Sequence, residues 1–153
     1  MHPHEIDQRQ SHFRTQILLR ELGFSLLDSQ INRDNWSIHF QDSLGFSGSA
    51  TGHSGQLFLE LGCKFAFSVR EQDFLRDRME TFMQVCYRFG CYFLIQTEND
   101  QITISLFSKL YFSGLQYYAL EETCTDLKNA VEEMRQVFGM AMPLREGEID
   151  GHP

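Results

Sequence analysis

Cys91-Tyr92-Phe93-Leu94-Ile95-Gln96-Thr97-Glu98-Asn99-Asp100-Gln101-Ile102-Thr103-Ile104-Ser105-Leu106-Phe107 holds two alternating runs separated by a polar triplet. In the first, Cys91, Phe93 and Ile95 alternate with Tyr92 and Leu94. In the second, Ile102, Ile104 and Leu106 alternate with Thr103, Ser105 and Phe107. Period two on both sides of Glu98-Asn99-Asp100 reads as an antiparallel hairpin with both strands half buried. The residues around it have the other period. Upstream, Leu75, Met79, Phe82, Cys86 and Phe89 step by four and three, Glu71 and Asp73 sit where a helix N-terminus favours negative charge, and Gly90 supplies a stop. Downstream, Leu120, Cys124, Leu127, Val131, Met134 and Phe138 keep the same rhythm until Gly139. A hairpin between two amphipathic helices predicts an α+β domain with an antiparallel sheet.

Further toward the N-terminus, Trp36, Ile38 and Phe40 alternate with Ser37 and His39, the pattern of another half-buried strand. Leu44, Phe46, Gly48 and Ala50 alternate more weakly, the glycines pointing to an edge or a bulge. After the reversal Gly52-His53-Ser54-Gly55, Leu57, Leu59 and Leu61 share one face, with Phe58 and Glu60 on the other. Beyond Gly62, the alternation of Cys63, Phe65, Phe67 and Val69 marks a further strand or an extended lead-in. Phe13, Ile17, Leu18 and Leu22 fall on one side of a first helix that begins at Ser11 and stops at Gly23. Phe24 to Leu27 is a brief apolar run cut short by the polar residues 28–35. The expected architecture is one domain over residues 11–140, in the order α-β-β-β-α-β-β-α. Its sheet has five antiparallel strands, or six if residues 63–69 add one. Residues 1–10 are expected to be a flexible leader and 141–153 a disordered acidic tail.

Charge narrows the functional classes. Thirteen Lys plus Arg against twenty-one Asp plus Glu give a formal net charge of −8. Binding to a phosphate backbone needs a concentrated basic surface, so nucleic acid is not an expected partner. No apolar run approaches the roughly 20 residues that cross a bilayer, so membrane insertion is not expected either. The polar start Met1-His2-Pro3-His4-Glu5 lacks the features of a secretory signal. With it, Cys63, Cys86, Cys91 and Cys124 read as reduced thiols of a cytoplasmic protein, although Cys86 and Cys91 straddle a helix end and have a spacing that permits pairing.

No constellation for catalysis emerges. Gly45-Phe46-Ser47-Gly48-Ser49 and Gly52-His53-Ser54-Gly55-Gln56 begin like nucleophile elbows but lack the second glycine and the following helix. The cysteines lack zinc-ligand spacing, the carboxylates are dispersed, and His39 lies on the polar face of a strand. A non-enzymatic protein with no cofactor and no metal is expected. Several strands, however, carry large apolar residues on both faces: Phe58 opposite the leucines, Tyr92 and Leu94 opposite Phe93 and Ile95, Phe107 opposite Leu106. Either the first helix and the loops cover the second face, or another chain does. On the second reading, Phe46, Phe58, Tyr92, Leu94 and Phe107 are the candidate partner-binding residues.

The layout is similar to that of the small type III secretion chaperones and the related YbjN-like family, which share the secretion-chaperone-like fold. Arg20-Glu21-Leu22-Gly23-Phe24 resembles the leucine-glycine that ends their first helix, and Trp36-Ser37-Ile38-His39-Phe40 resembles their second-strand signature. Leu57-Phe58-Leu59-Glu60-Leu61-Gly62 resembles their leucine-rich third strand, and Gly90-Cys91-Tyr92-Phe93-Leu94 stands where a glycine leads into the fourth. The usual proline after the third strand is missing, and Cys63 to Val69 adds strand-like material. The resemblance implies a bacterial homodimer without an active site that binds an extended, partly unfolded client or effector protein along apolar grooves and sheet edges. The alternative is a regulatory or sensory domain that encloses a small molecule between sheet and helices.

Overall fold

A computed structural model describes residues 7–139. The chain runs α1 (Gln8–Glu21), β1 (Ser25–Ile31), β2 (Asn35–Gln41), β3 (Ser47–His53), β4 (Phe58–Ser68), α2 (Gln72–Asp77), α3 (Met79–Phe89), β5 (Tyr92–Glu98), β6 (Gln101–Tyr111) and α4 (Tyr117–Phe138). Six strands form one antiparallel sheet in the order β1-β2-β3-β4-β6-β5, with the helices against one face. The protein is α+β, as the alternating and helical periods predict. Leaders and tails fall mostly outside the described residues: so do positions 1–6 of the expected leader and all of 141–153. Asp7 caps α1 by accepting the Arg9 amide at 3.0 Å, so the helix begins ahead of the expected Ser11.

The sixth strand is not where the alternation placed it. Residues 63–69 extend the preceding strand, and β4 pairs with β6 from Phe58↔Tyr111 to Ser68↔Gln101 without interruption. Gly62 sits inside that strand because Phe107, directly opposite, lies across it. A Cβ at Gly62 would come within 3.0 Å of the Phe107 ring. The additional strand is β1, Ser25-Leu26-Leu27-Asp28-Ser29-Gln30-Ile31, which pairs with β2 around a bulge at Leu26/Asp28. Its polarity hid it.

The core lies between sheet and helices. Trp36, Ile38, Phe40, Leu59, Leu61, Ile104 and Leu106 point into it from the strands, and Leu120, Cys124, Leu127, Val131, Met134 and Phe138 from α4, all buried. The Phe138 ring meets Phe65 and Phe67 edge-on at 5.7 and 5.0 Å, and Phe82 of α3 meets Phe93 of β5 at 4.6 Å. Such a layer is the main source of stability, since burial of each large apolar side chain contributes about 1.5–3 kcal/mol. Gly48 and Gly52, which weaken β3 in the sequence, make room for Phe40 and Trp36. A Cβ on Gly52 would lie 2.4 Å from the indole.

Two helices depart from the sequence reading. In α1 the buried residues are Ser11, Thr15 and Leu19, while Phe13 is 61% exposed and Ile17 37%. The helix is rotated because the Trp36 indole fills the space beneath it and donates its buried N–H to Ser11 Oγ at 3.1 Å. The second predicted helix is broken. A 3-10 turn at Val69–Glu71 precedes α2, and the axis changes at Arg78 before α3. The Arg78 guanidinium holds the junction, donating to the carbonyls of Val137 at 3.1 Å and Phe74 at 3.2 Å and lying 3.6 Å over the Phe74 ring.

Candidate partner-binding face

Each strand turns alternate residues away from the helices, and no described helix covers that second face. On β1, β2 and β3 it is polar: Asp28, Gln30, Asn35, Ser37, His39, Ser47, Ser49, Thr51 and His53. On β4, β6 and β5 it becomes aromatic. The register sets Phe58 opposite Tyr111, Glu60 opposite Lys109, Gly62 opposite Phe107 and Phe107 opposite Tyr92. Phe58, Tyr92 and Phe107 are half buried, with Phe58 against Tyr111 and Tyr92 against Phe107, whereas Tyr111 is 54% and Leu94 50% exposed.

The polar groups in this patch are partnered. Lys109 Nζ lies 4.1 Å over the Phe58 ring and within 6 Å of Tyr92 and Tyr111, so three aromatic faces share one cation. The Tyr92 hydroxyl donates to Glu60 Oε2. Burial, then that hydrogen bond and the carboxylate charge, push the phenol above its ordinary value, so it remains a protonated donor at neutral pH. The patch is thus a stiff, apolar surface with its charges tied down, suited to contact with side chains and carrying no activated nucleophile or base.

Of the residues singled out in the sequence, Phe58, Tyr92 and Phe107 come together here and Leu94 stands at their margin on β5. Phe46 does not join them. It is buried on the helix side, 6.4 Å from Phe40 by ring centroids, with Lys128 Nζ 5.6 Å from its ring. The reason is parity: Phe46 shares the inward phase of Gly48 and Ala50, and Asp42 fixes the loop by accepting the Leu44 and Phe46 amides and pairing with Lys128 at 2.6 Å. Tyr111 and Lys109 were missed. The alternation of Phe107, Lys109 and Tyr111 carried the signal, but a lysine between two aromatics reads as a solvated position.

Among the described residues, the remaining chemistry-bearing side chains build no second site. Burial pushes the thiols of Cys63, Cys86 and Cys124 up to about 12 and raises that of Cys91. Each shift disfavours the thiolate, the form that reacts. No group of three or more His, Cys, Asp or Glu among the described residues is arranged to hold a metal ion. An open groove beside the start of α1 is lined by Asp7, Arg9, His12, Phe13, Gln16 and Ile31, with no convergent acid–base pair. No described helix is long and apolar enough to cross a membrane.

Main-chain groups add two free edges. Phe112 N–H donates to Leu57 O, which makes Leu59–Leu110, Leu61–Ser108 and every second pair up to Phe67–Ile102 the hydrogen-bonded ones. Thr103, Ser105 and Phe107 therefore turn their amides and carbonyls toward β5, bonding Gln96, Leu94 and Tyr92. It follows that Phe93, Ile95 and Thr97 present theirs outward, to no described partner. On β4, Lys64 and Ala66 do the same beyond the start of β3.

No family model matches the chain, and no curated protein matches it significantly. Among solved structures it is similar to an uncharacterized protein from Methanothermobacter thermautotrophicus, at 17% identity and a TM-score of 0.66, covering 84% of this chain and 96% of that one. The likeness establishes a shared fold.

Proposed function

We propose that the chain is a non-enzymatic protein-binding module, a dimeric chaperone or adaptor that holds a partly unfolded partner protein. One observation carries the reading: a sheet with one face that no described helix covers, on which Phe58, Tyr92, Leu94, Phe107 and Tyr111 concentrate over three adjacent strands. An extended segment laid on this surface would seat alternate side chains between the aromatics, with main-chain hydrogen bonding available at the nearby edges. The net charge of −8 keeps a molecule with such a patch soluble and repels further copies once it is loaded. The secretion-chaperone resemblance and a cytoplasmic home agree with this reading.

The test is light scattering from a chemically unfolded model protein diluted into buffer with the chain present. The wild type is expected to suppress its aggregation, and the double variant Leu94→Asp, Tyr111→Asp to lose that effect while keeping its thermal transition. Equal suppression by both, or none by the wild type, would overturn the proposal.

A further inference from the structure

We infer that the aromatic end of the open face selects an acidic partner: an extended segment with carboxylates at positions i and i+4 and an apolar side chain between them at i+2. The two carboxylates meet Lys64 and Lys109. This names the kind of segment held by the protein-binding module proposed above and rests on that reading.

Register places the two lysines. Lys64 of β4 stands opposite Ser105, and Lys109 of β6 stands opposite Glu60, four residues further along the strand pair. Strand geometry sets their Cα atoms roughly 14 Å apart, one strand across and four rises along. Between them lie Gly62 and Phe107, whose ring leans so closely on the glycine that a Cβ there would come within 3.0 Å. A segment laid along the strands turns every second side chain toward the face, so its positions i and i+4 are about 13 Å apart. Carboxylates at that spacing reach both lysines. The side chain at i+2 lands on the Phe107 ring, with Tyr92 beside it.

The charges of the face point the same way. On β4, β5 and β6 the charged residues with the parity of this face are Glu60, Lys64, Glu98 and Lys109. Glu98 is opposite Gln101, at the far end of the hairpin. Glu60 is already engaged, accepting the Tyr92 hydroxyl. Both lysines are exposed, and neither has a carboxylate within ion-pair distance among the described residues. The aromatic contacts of Lys109 hold its ammonium 4.1 Å over the Phe58 ring without cancelling its charge. Held in this way, it loses less side-chain freedom on pairing than an untethered surface lysine does. An acidic chain thus presents two unpaired cations among its exposed aromatics.

The same balance argues against a nucleic acid. A phosphate backbone repeats its charge at every nucleotide and needs a row of cations. Here Glu60 stands opposite Lys109, and the net charge of −8 opposes the long-range approach of any polyanion. Two short-range ion pairs suit a segment that carries few charges.

Fluorescence anisotropy on the full chain tests this, with labelled peptides in which Glu-Thr-Leu-Thr-Glu is flanked by serines. One companion peptide has glutamine for both glutamates. The other moves the second glutamate to i+3, where an extended segment turns it away from the face. The wild type is expected to bind the first peptide about fivefold more tightly than either companion, as two partly exposed ion pairs allow. The double variant Lys64→Gln, Lys109→Gln should bind the glutamate and glutamine peptides alike, with an unchanged circular dichroism spectrum because both side chains are exposed. If the double variant unfolds, Lys64→Gln alone decides and should bring the ratio down to about twofold. Equal binding or no binding of the three peptides, a preference that survives the substitutions, or tighter binding of a single-stranded oligouridylate would overturn the inference. A peptide preference without suppression of aggregation contradicts only the chaperone reading, and suppression without a preference contradicts only this selection.

Discussion

Gly52 lies under the Trp36 indole with no room for a methyl group, and the indole has no room to retreat because Ser11 holds its far side. Gly52→Ala is therefore expected to cost about 3 kcal/mol in urea unfolding through overpacking, while Gly62→Ala, whose neighbour Phe107 is half exposed and able to swing aside, costs about 1 kcal/mol. Asp42 is a second test at this scale. Burial alone would raise its carboxyl, but the hydrogen bond from Lys128, the amides of Phe46 and Leu44 and the Lys128 charge together bring it below the usual 3.8. A carboxylate lowered on folding stabilises fully above its unfolded value and loses that contribution as pH falls through its folded one. Asp42→Asn should accordingly lower stability by about 1 kcal/mol at neutral pH, a modest value because Lys128 is part exposed, and the gap should close below pH 3.8 in acid melts. These roles were only partly legible in the chain. The glycines of β3 were visible as interruptions, but what they accommodate depends on a tryptophan from the neighbouring strand.

Helix α1 shows how an element can be found and still be misread. Its existence and its stop at Gly23 follow from the sequence, yet its inward face is Ser11–Thr15–Leu19, since a buried indole requires an acceptor more than another apolar contact. Ser11→Ala, which orphans that N–H, is expected to lose about 2 kcal/mol, whereas Phe13→Ser, on the exposed face, should remain within about 0.5 kcal/mol of the wild type in thermal melts. The reverse ranking would mean that α1 packs as the apolar periodicity alone predicts. Strand β1 escaped notice for a related reason: it is an edge strand with five exposed residues in a row, so it carries little alternation to read. The hairpin of β5 and β6, bounded by glycines and long helices, was legible because period, turn and flanks all agree.

Across the whole molecule, the decisive feature is asymmetry. One face of the sheet is sealed by helices, and the other is polar over β1–β3 and aromatic over β4–β6–β5. The sequence showed that strands in the second half are apolar on both faces. It could not show that Phe46 belongs inside or that Lys109 ties Phe58, Tyr92 and Tyr111 into one surface, because strand order brings β6 between β4 and β5. The most direct measurement is an NMR titration of the labelled chain with a chemically unfolded model polypeptide. Side-chain shifts concentrated on Phe58, Tyr92, Leu94, Phe107 and Tyr111, with Asn35, Ser37 and His39 unmoved, are predicted. No shifts at saturating polypeptide, or shifts centred on α1 and the polar strands, would contradict the account.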